Sequence, residues 1–461
     1  MEAYVSLQSP RNEKLREVNP RENANWFSIF TLSWLNSLIK KGAKAPLQEN
    51  DTWPLPTHDT AATLHAKFEK HWEVEKDKPT PKLHVALWHT FKGQIIWGLS
   101  LYIIYAGIML LQPIMIQSTL QYLAEDPVVH TSLHILNGYV LATLLTLLSF
   151  ISVTIIDFAQ YCNTHTGCNA KSIVIDMVFM KTLKLSGYAK QEMSTGEVVT
   201  MASVDAERVF MGFTFGYWTI VGPLMLLATY IMIGNQLGVV VGVTGGGIML
   251  IFLIMGFVSG RKVGEVRRKL LGVQANRVKL TNEILQGIRV VKLYAWEVSL
   301  QEQLASIRNE ELRLLKLYQT RRTFNTVVLF IAPVVSLAVC LLVFVALGND
   351  LTVPIAFTAL AYVNIARSPC MVFSTAVMMT SEMVASCQRV SKFLCADEVK
   401  ALGAAEGPAQ VNISHASFSW DAPTAVSKLP ALTLKNINFQ LEPGSLTIVV
   451  GPVGSGKSSL V

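Results

Sequence analysis

Near the end of the chain, Leu446 to Val461 reads Leu-Thr-Ile-Val-Val-Gly-Pro-Val-Gly-Ser-Gly-Lys-Ser-Ser-Leu-Val. Within it, Gly451-x-x-x-x-Gly456-Lys457-Ser458 has the residue types and spacing of a phosphate cradle. Glycines at 451, 454 and 456 free the backbone to curl, so that successive amide N–H groups point inward at an anion. Lys457 brings a cation to β- and γ-phosphates, the Ser458 hydroxyl is a ligand for Mg2+, and Ser455 and Ser459 line the same loop. A helix beginning near Gly456 would aim its positive end at that anion. The apolar residues Thr447 to Val450 predict a buried strand leading into the loop. ATP with Mg2+ is the ligand this arrangement implies.

Stepping upstream, the 461 residues are 51% hydrophobic and only 15% charged, against about 25% charged in soluble domains. The mean hydropathy is +0.39. The deficit lies in runs without Asp, Glu, Lys or Arg: Gly93–Ala124, Thr131–Ile156, Val209–Gly260 and Thr323–Asn349. A helix of roughly 20 apolar residues crosses a bilayer core, so these runs predict a polytopic α-helical membrane domain. Six spans are expected, at about Phe91–Leu123 (with Pro113 as a kink), Leu133–Asp157, two halves of the long run divided at Gly234–Gly238, Phe324–Leu347 and Leu351–Met379. Arg367 is the clear intramembrane cation. Such a charge is costly in lipid and marks a candidate for binding an anionic substrate. A structural pairing or a cytosol-facing position is the alternative.

The net charge of +7 belongs to loops beside the spans rather than to a nucleic-acid surface. Glu125–His130, the Gly234–Gly238 turn and Gly348–Asp350 hold no Lys or Arg, whereas Arg261–Arg322 holds fourteen. The positive-inside bias therefore places both termini in the cytosol. Two long segments between spans, 157–208 and 261–322, carry apolar residues at helical spacing. They predict helices that continue past the bilayer. Trp26–Ile39, ending at Lys40 and Lys41, predicts an interfacial elbow helix with Trp26 and Trp34 at headgroup level. The expected organisation is a cytosolic N-terminal region (1–90), a six-span domain (91–395), a linker (396–410) and a nucleotide-binding segment (411–461) opening with strands at Val411–Trp420 and Leu432–Leu441. The six cysteines show no metal spacing and read as reduced thiols.

Leu280-Thr-Asn-Glu-Ile-Leu-Gln-Gly-Ile-Arg-Val-Val-Lys-Leu-Tyr-Ala-Trp-Glu297 resembles the second cytoplasmic loop of multidrug resistance-associated proteins, the C subfamily of ATP-binding cassette transporters. Thr195-Gly-Glu-Val-Val, Ser203-Val-Asp-Ala, Asn364-Ile-Ala-Arg-Ser-Pro369, Ser417-Phe-Ser-Trp420, and Pro46-Leu with Asp51-Thr-Trp53 extend the likeness over nearly the whole chain from Trp26. The resemblance implies a type I exporter fold of six long helices followed by an α/β P-loop nucleotide-binding domain. It implies coupling helices near Tyr188–Ser194 and Tyr294–Glu297, with Tyr294, Trp296 and Glu297 contacting the soluble domain. It also implies that Trp420 stacks on adenine. Loop packing for Tyr294 and Trp296, and an ordinary strand position for Trp420, are the alternatives.

A complete family member carries two such halves and further nucleotide-site motifs. The end at Val461 therefore predicts a truncated nucleotide-binding domain, a second half supplied in cis or in trans, and no ATP hydrolysis by these residues alone. The expected function is ATP-driven export of small amphipathic organic anions across a plasma or vacuole-type membrane, with the bilayer, ATP and the substrate as partners. An ATP-gated anion channel or channel-regulating subunit, and a non-catalytic fragment, are the alternatives.

Overall fold

The computed structural model describes residues 19–48, 51–123, 137–186, 195–399, 411–419, 433–441 and 444–460, together with 133, 135, 189 and 193. Among them, six helices are long and apolar enough to cross a membrane. These are α4 (Leu83–Leu123), α5 (Gly138–Lys184), the composite α6 to α8 (Thr195–Leu237), α9 (Val239–Gln286), α11 (Glu297–Ala346) and α12 (Val353–Leu394). The composite consists of α6 (Thr195–Thr200), a π-helical turn (Met201–Asp205), α7 (Ala206–Phe215) and α8 (Trp218–Leu237). The 48 residues of α9 rise about 72 Å, more than twice a hydrocarbon core of about 30 Å. The expected extension of the spans beyond the bilayer is therefore present.

The break between the third and fourth spans is shorter than expected. Helix α8 continues through Gly234 to Leu237, and Gly238 alone turns the chain, at φ +101°. Gly234 serves close packing instead: a Cβ at Gly242 would lie 2.5 Å from the Gly234 Cα. Gly245 does the same for α9 against α11, since its Cβ would meet Cys340 Sγ at 2.2 Å. In lipid there is little hydrophobic drive between helices, so such close backbone approach is what binds them. All six cysteines are free thiols.

Before the spans, the expected single elbow helix is broken into α1 (Trp26–Phe30), a 3-10 turn (Ser33–Leu35) and α2 (Asn36–Lys44). The break falls at Leu32, a non-glycine residue in the left-handed region at φ 56°. Trp26 and Phe27 stay exposed, while Trp34 packs against the Trp53 ring at 6.0 Å. Helix α3 (Ala61–Lys76) then buries Leu64, Phe68 and Trp72 in the main core. Asp59 anchors this region to α5. It accepts from Arg21 Nη1 (3.2 Å), His165 Nε2 (2.7 Å) and Asn169 Nδ2 (2.8 Å). Burial pushes the Asp59 carboxyl up, but the hydrogen bonds from His165 and Asn169 outweigh it and hold the group below its usual range.

At the start of the third span, the π turn presents Asp205 to α12. The side chain of Asp205 is 2% exposed; it accepts from Ser386 Oγ (3.1 Å) and Arg389 Nε (3.0 Å), with Arg389 Nη2 on its other oxygen. Both oxygens are satisfied, so the buried charge is compensated.

The strands expected after the linker are β1 (Val411–Phe418) and β2 (Leu434–Leu441), paired antiparallel from Val411↔Leu441 to Phe418↔Leu434. The predicted strand at Thr447–Val450 does not form. Residues 445–450 have no regular structure, and Leu446, Ile448 and Val450 are 88%, 74% and 83% exposed. A strand needs a neighbour for its N–H and C=O groups, and among the described residues neither β1 nor β2 pairs with this segment. The loop Glu125–His130, most of the Tyr188–Ser194 tip and the linker residues 400–410 lie outside the described residues.

Removing Arg389 leaves a buried carboxylate with only Ser386 and the longer 3.5 Å pair to Arg208, whereas removing Asp205 leaves a cation that is 47% exposed. Arg389→Ala is therefore expected to cost about 3–5 kcal/mol, more than Asp205→Ala, with the double variant milder than Arg389→Ala. Thermal unfolding of the detergent-solubilised protein checks this order.

Candidate functional site

Helices α9 and α11 pair along their length and continue together past the membrane. Gly256 abuts Leu329, Arg267 Nη1 donates to Tyr318 Oη (3.0 Å), and Arg277 Nε donates to Glu311 Oε2 (2.7 Å). From Arg261 to Gln286, α9 rises about 38 Å beyond the uncharged run. At the tip, Gly287 ends α9, and a short helix α10 (Ile288–Leu293) follows. The expected coupling helix at Tyr294–Glu297 is thus displaced toward the N-terminus. Tyr294 to Trp296 form a turn, Ala295 takes the left-handed φ of 53°, and Glu297 begins α11. The turn closes because Tyr294 N–H donates to Val290 O and Trp296 N–H to Val291 O.

That turn brings together all three tip residues singled out from the sequence. The Tyr294 and Trp296 rings stack at 5.2 Å, and Lys292 Nζ donates to Glu297 Oε1 at 3.0 Å. Leu293, Tyr294, Trp296 and Val298 are 83%, 66%, 52% and 68% exposed. A rigid hairpin carrying bare apolar side chains far from lipid is a surface built to be covered by protein.

The glycine loop is curled as its composition requires. Gly454 and Gly456 sit at φ +86° and +85°, where other residues are strained. Lys457 opens the short helix α13 (Lys457–Leu460) and folds back to donate to the carbonyls of Gly451 (2.8 Å) and Pro452 (2.7 Å). This places its ammonium across the arch, where a phosphate group would meet it. A Cβ at Gly451 would lie 2.7 Å from Ser455 Oγ, so the loop is closed tightly on itself. The residues present fit a phosphate. For Mg2+ the Ser458 hydroxyl is the available ligand, and no cluster of three or more His, Cys, Asp or Glu able to hold a metal occurs among the described residues. Trp420 lies outside them.

Arg367 lies midway along α12, far from both of these features in sequence. Its guanidinium stands 5.1 Å from the Phe330 ring, and its Nε is buried without a hydrogen-bond partner. It forms no ion pair among the described residues, so an aromatic face rather than an acid stabilises it. Two solvent grooves are visible in the structure that the sequence reading did not single out. One, of 660 Å³ between α9 and α11, is lined by Arg268, Lys269, Arg313 and Arg321. Glu310 is taken by Arg313, with bonds of 2.7 and 2.8 Å, which leaves the other three cations without an ion pair among the described residues. The other, of 480 Å³ between α8 and α12, carries Thr219, Thr380, Ser381 and Gln388. The cations were used in the sequence only to orient the loops; the helical spacing of Arg268, Lys269, Gly272, Val273 and Asn276 was the available sign of a shared face.

Over residues 95–370 the chain matches the ABC transporter transmembrane region. It is similar to ABC transporter C family member 3 of Dictyostelium discoideum, 31% identical over 458 residues that cover 95% of this chain and 31% of the relative. It is also similar to ATP-binding cassette sub-family C member 4 of Mus musculus, 29% identical with 96% and 34% covered. To Metal resistance protein YCF1 of Saccharomyces cerevisiae it is 28% identical, with 97% and 31% covered. The chain thus spans about a third of the length of these curated relatives.

In the glycine loop, Gly456→Val would force a β-branched residue to φ +85° with its Cβ 3.0 Å from Leu434 Cδ2. The strain is about 1–2 kcal/mol, so photolabelling by an azido-ATP is expected to fall by roughly tenfold. Labelling equal to that of the unaltered chain would contradict the cradle.

Proposed function

Since the chain belongs to the ABC transporters, through their transmembrane region, we propose that it is the membrane half of an ATP-driven exporter of small amphipathic organic anions. The observation that carries this reading is the exposed Tyr294–Trp296 tip at the end of the paired α9–α11 extension. A lever of that length with an apolar end suits the transfer of force from a soluble domain to the spans. In this reading the fold is that of a type I exporter, and residues 411–461 open its nucleotide-binding domain. ATP with Mg2+ supplies the energy when bound. Gly451, Gly454, Ser455, Gly456 and Ser459 would present the loop to its phosphates, Lys457 would hold the charge, and Ser458 would contact the metal. Trp420 would stack on the base.

The anion preference is supported by Arg367, whose buried Nε has an unused donor, and by the unpaired cations of the α9–α11 groove, which would concentrate anions near the entrance. A second transporter half, in cis or in trans, would complete the pathway. Both termini and the α9–α11 tip would then face the cytosol of a plasma or vacuole-type membrane.

Inside-out vesicles carrying this chain with a second half should accumulate a fluorescent anionic conjugate when given ATP and not when given a non-hydrolysable analogue. Lys457→Ala should abolish that uptake. Trp296→Ala should lower it about tenfold or more while nucleotide photolabelling persists, and unchanged uptake in Trp296→Ala would contradict the coupling role. In a cysteine-free background, an impermeant thiol reagent applied outside intact cells should label Asn349→Cys and miss Gly403→Cys. The reverse pattern would overturn the orientation.

A further inference from the structure

A 330 Å³ pocket between α4, α7, α8 and α12 takes no part in the roles above. Its walls are apolar and include Ile95 and Leu99 of α4, Phe213 of α7, Ile220 of α8 and Met383 of α12. Two glycines bring the helices together along it. A Cβ at Gly212 would stand 2.5 Å from Met383 Cβ, and one at Gly216 would stand 3.3 Å from Thr380 Oγ1.

The shape restricts the occupant. Helix α4 lines the pocket from His84 to Leu99, a rise of about 22 Å, and α7–α8 line it from Gly212 to Ile220, about 12 Å. A 330 Å³ volume drawn out over that length is one hydrocarbon chain wide, too narrow for two chains abreast or for a fused-ring body. Trp88 and Ile220 stand at the pocket and are 44% and 59% exposed. Both belong to helices long and apolar enough to cross a bilayer, so the mouth lies at membrane depth. An indole at the start of a span suits the interface.

One end is polar. His84 lines the pocket with its Nδ1 buried and without a hydrogen-bond partner, and Lys82 stands exposed two residues earlier. A buried polar atom left unpaired is costly, so these groups are arranged for a ligand that supplies the missing bonds. An apolar slot with a cationic, hydrogen-bonding end at the membrane surface complements an acyl chain with an acidic head.

We propose that this pocket binds one acyl chain of an acidic bilayer lipid, with the head against His84 and Lys82. The occupant joins the first, third and sixth spans, because all three contribute walls. Neither Arg367 nor the glycine loop lines the site, so labelling at it does not depend on the transport reading.

The test uses the full chain in nanodiscs and three photoreactive probes, each with a diazirine in its apolar part: palmitic acid, a phosphatidic acid and a sterol. Labelled peptides are mapped by mass spectrometry. Both acidic probes, or either one, should label the peptides around Ile95 and Met383 roughly tenfold more than the sterol does. Labelling by palmitate alone assigns a free fatty acid, and labelling by phosphatidate assigns a diacyl lipid. Unlabelled palmitate or phosphatidate should compete. Leu99→Trp, which fills the slot, and Lys82→Gln with His84→Gln, which remove the polar end, should each lower the labelling. Competition in the unaltered protein decides the matter even if a filled variant fails to fold. Sterol labelling equal to that of the acids, or labelling spread evenly over exposed positions such as Leu250 and Phe330 without competition, would overturn the proposal.

Discussion

No water reaches the backbone of a helix in a bilayer, so each N–H must find a carbonyl within its own helix. That constraint explains more of this structure than any side-chain contact. It keeps the crossings helical through Pro113, Pro223, Pro333 and Pro369, the third being interrupted at the π turn and at Gly216–Tyr217. Continuity does not stop at the bilayer surface, because the segments after the apolar runs keep their helical spacing. Helices α5, α9 and α11 therefore leave the membrane as struts, and the tip at Tyr294–Trp296 is held far from lipid by the same hydrogen-bond ladders that cross it.

The places where the ladder is interrupted are correspondingly informative. Gly238 is the turn between two crossings. The π turn at Met201–Asp205 adds a residue to the helix and swings Asp205 toward α12, where Arg389 and Ser386 meet it. Ala295 accepts a left-handed conformation so that two aromatic rings can stack at the tip. Strain and irregularity thus concentrate where the bundle is tied together and at the exposed aromatic tip. The N-terminal segment is fastened in another way, by a buried carboxylate, Asp59, that gathers three donors from two parts of the chain.

Much of this was legible in the sequence because the signals are local. Charge-free runs located six crossings, periodicity after Asp157 and Arg261 foretold their extensions, and Tyr-Ala-Trp-Glu marked the tip. Nonlocal features were not legible. Asp205 and Arg389 are far apart in sequence, and nothing near either names the other. Gly234 looked like a turn because glycine is permissive; its use is the close approach of Gly242, which only the packed pair reveals. Thr447 to Val450 have strand composition, but a strand is made by its neighbours, and among the described residues no strand pairs with them. The left-handed Leu32 that splits the elbow carries no composition signal at all.

The account depends most on α11 being one rigid strut from tip to bilayer. Spin labels at Ser299→Cys and Ile331→Cys, in a cysteine-free background in nanodiscs, should be separated by about 48 Å along the helix axis. Pulsed electron–electron resonance is predicted to give a single narrow distance near that value, unchanged when ATP is added. A broad distribution, or a mean shorter by a third, would show that the helix bends between tip and membrane and would contradict the lever.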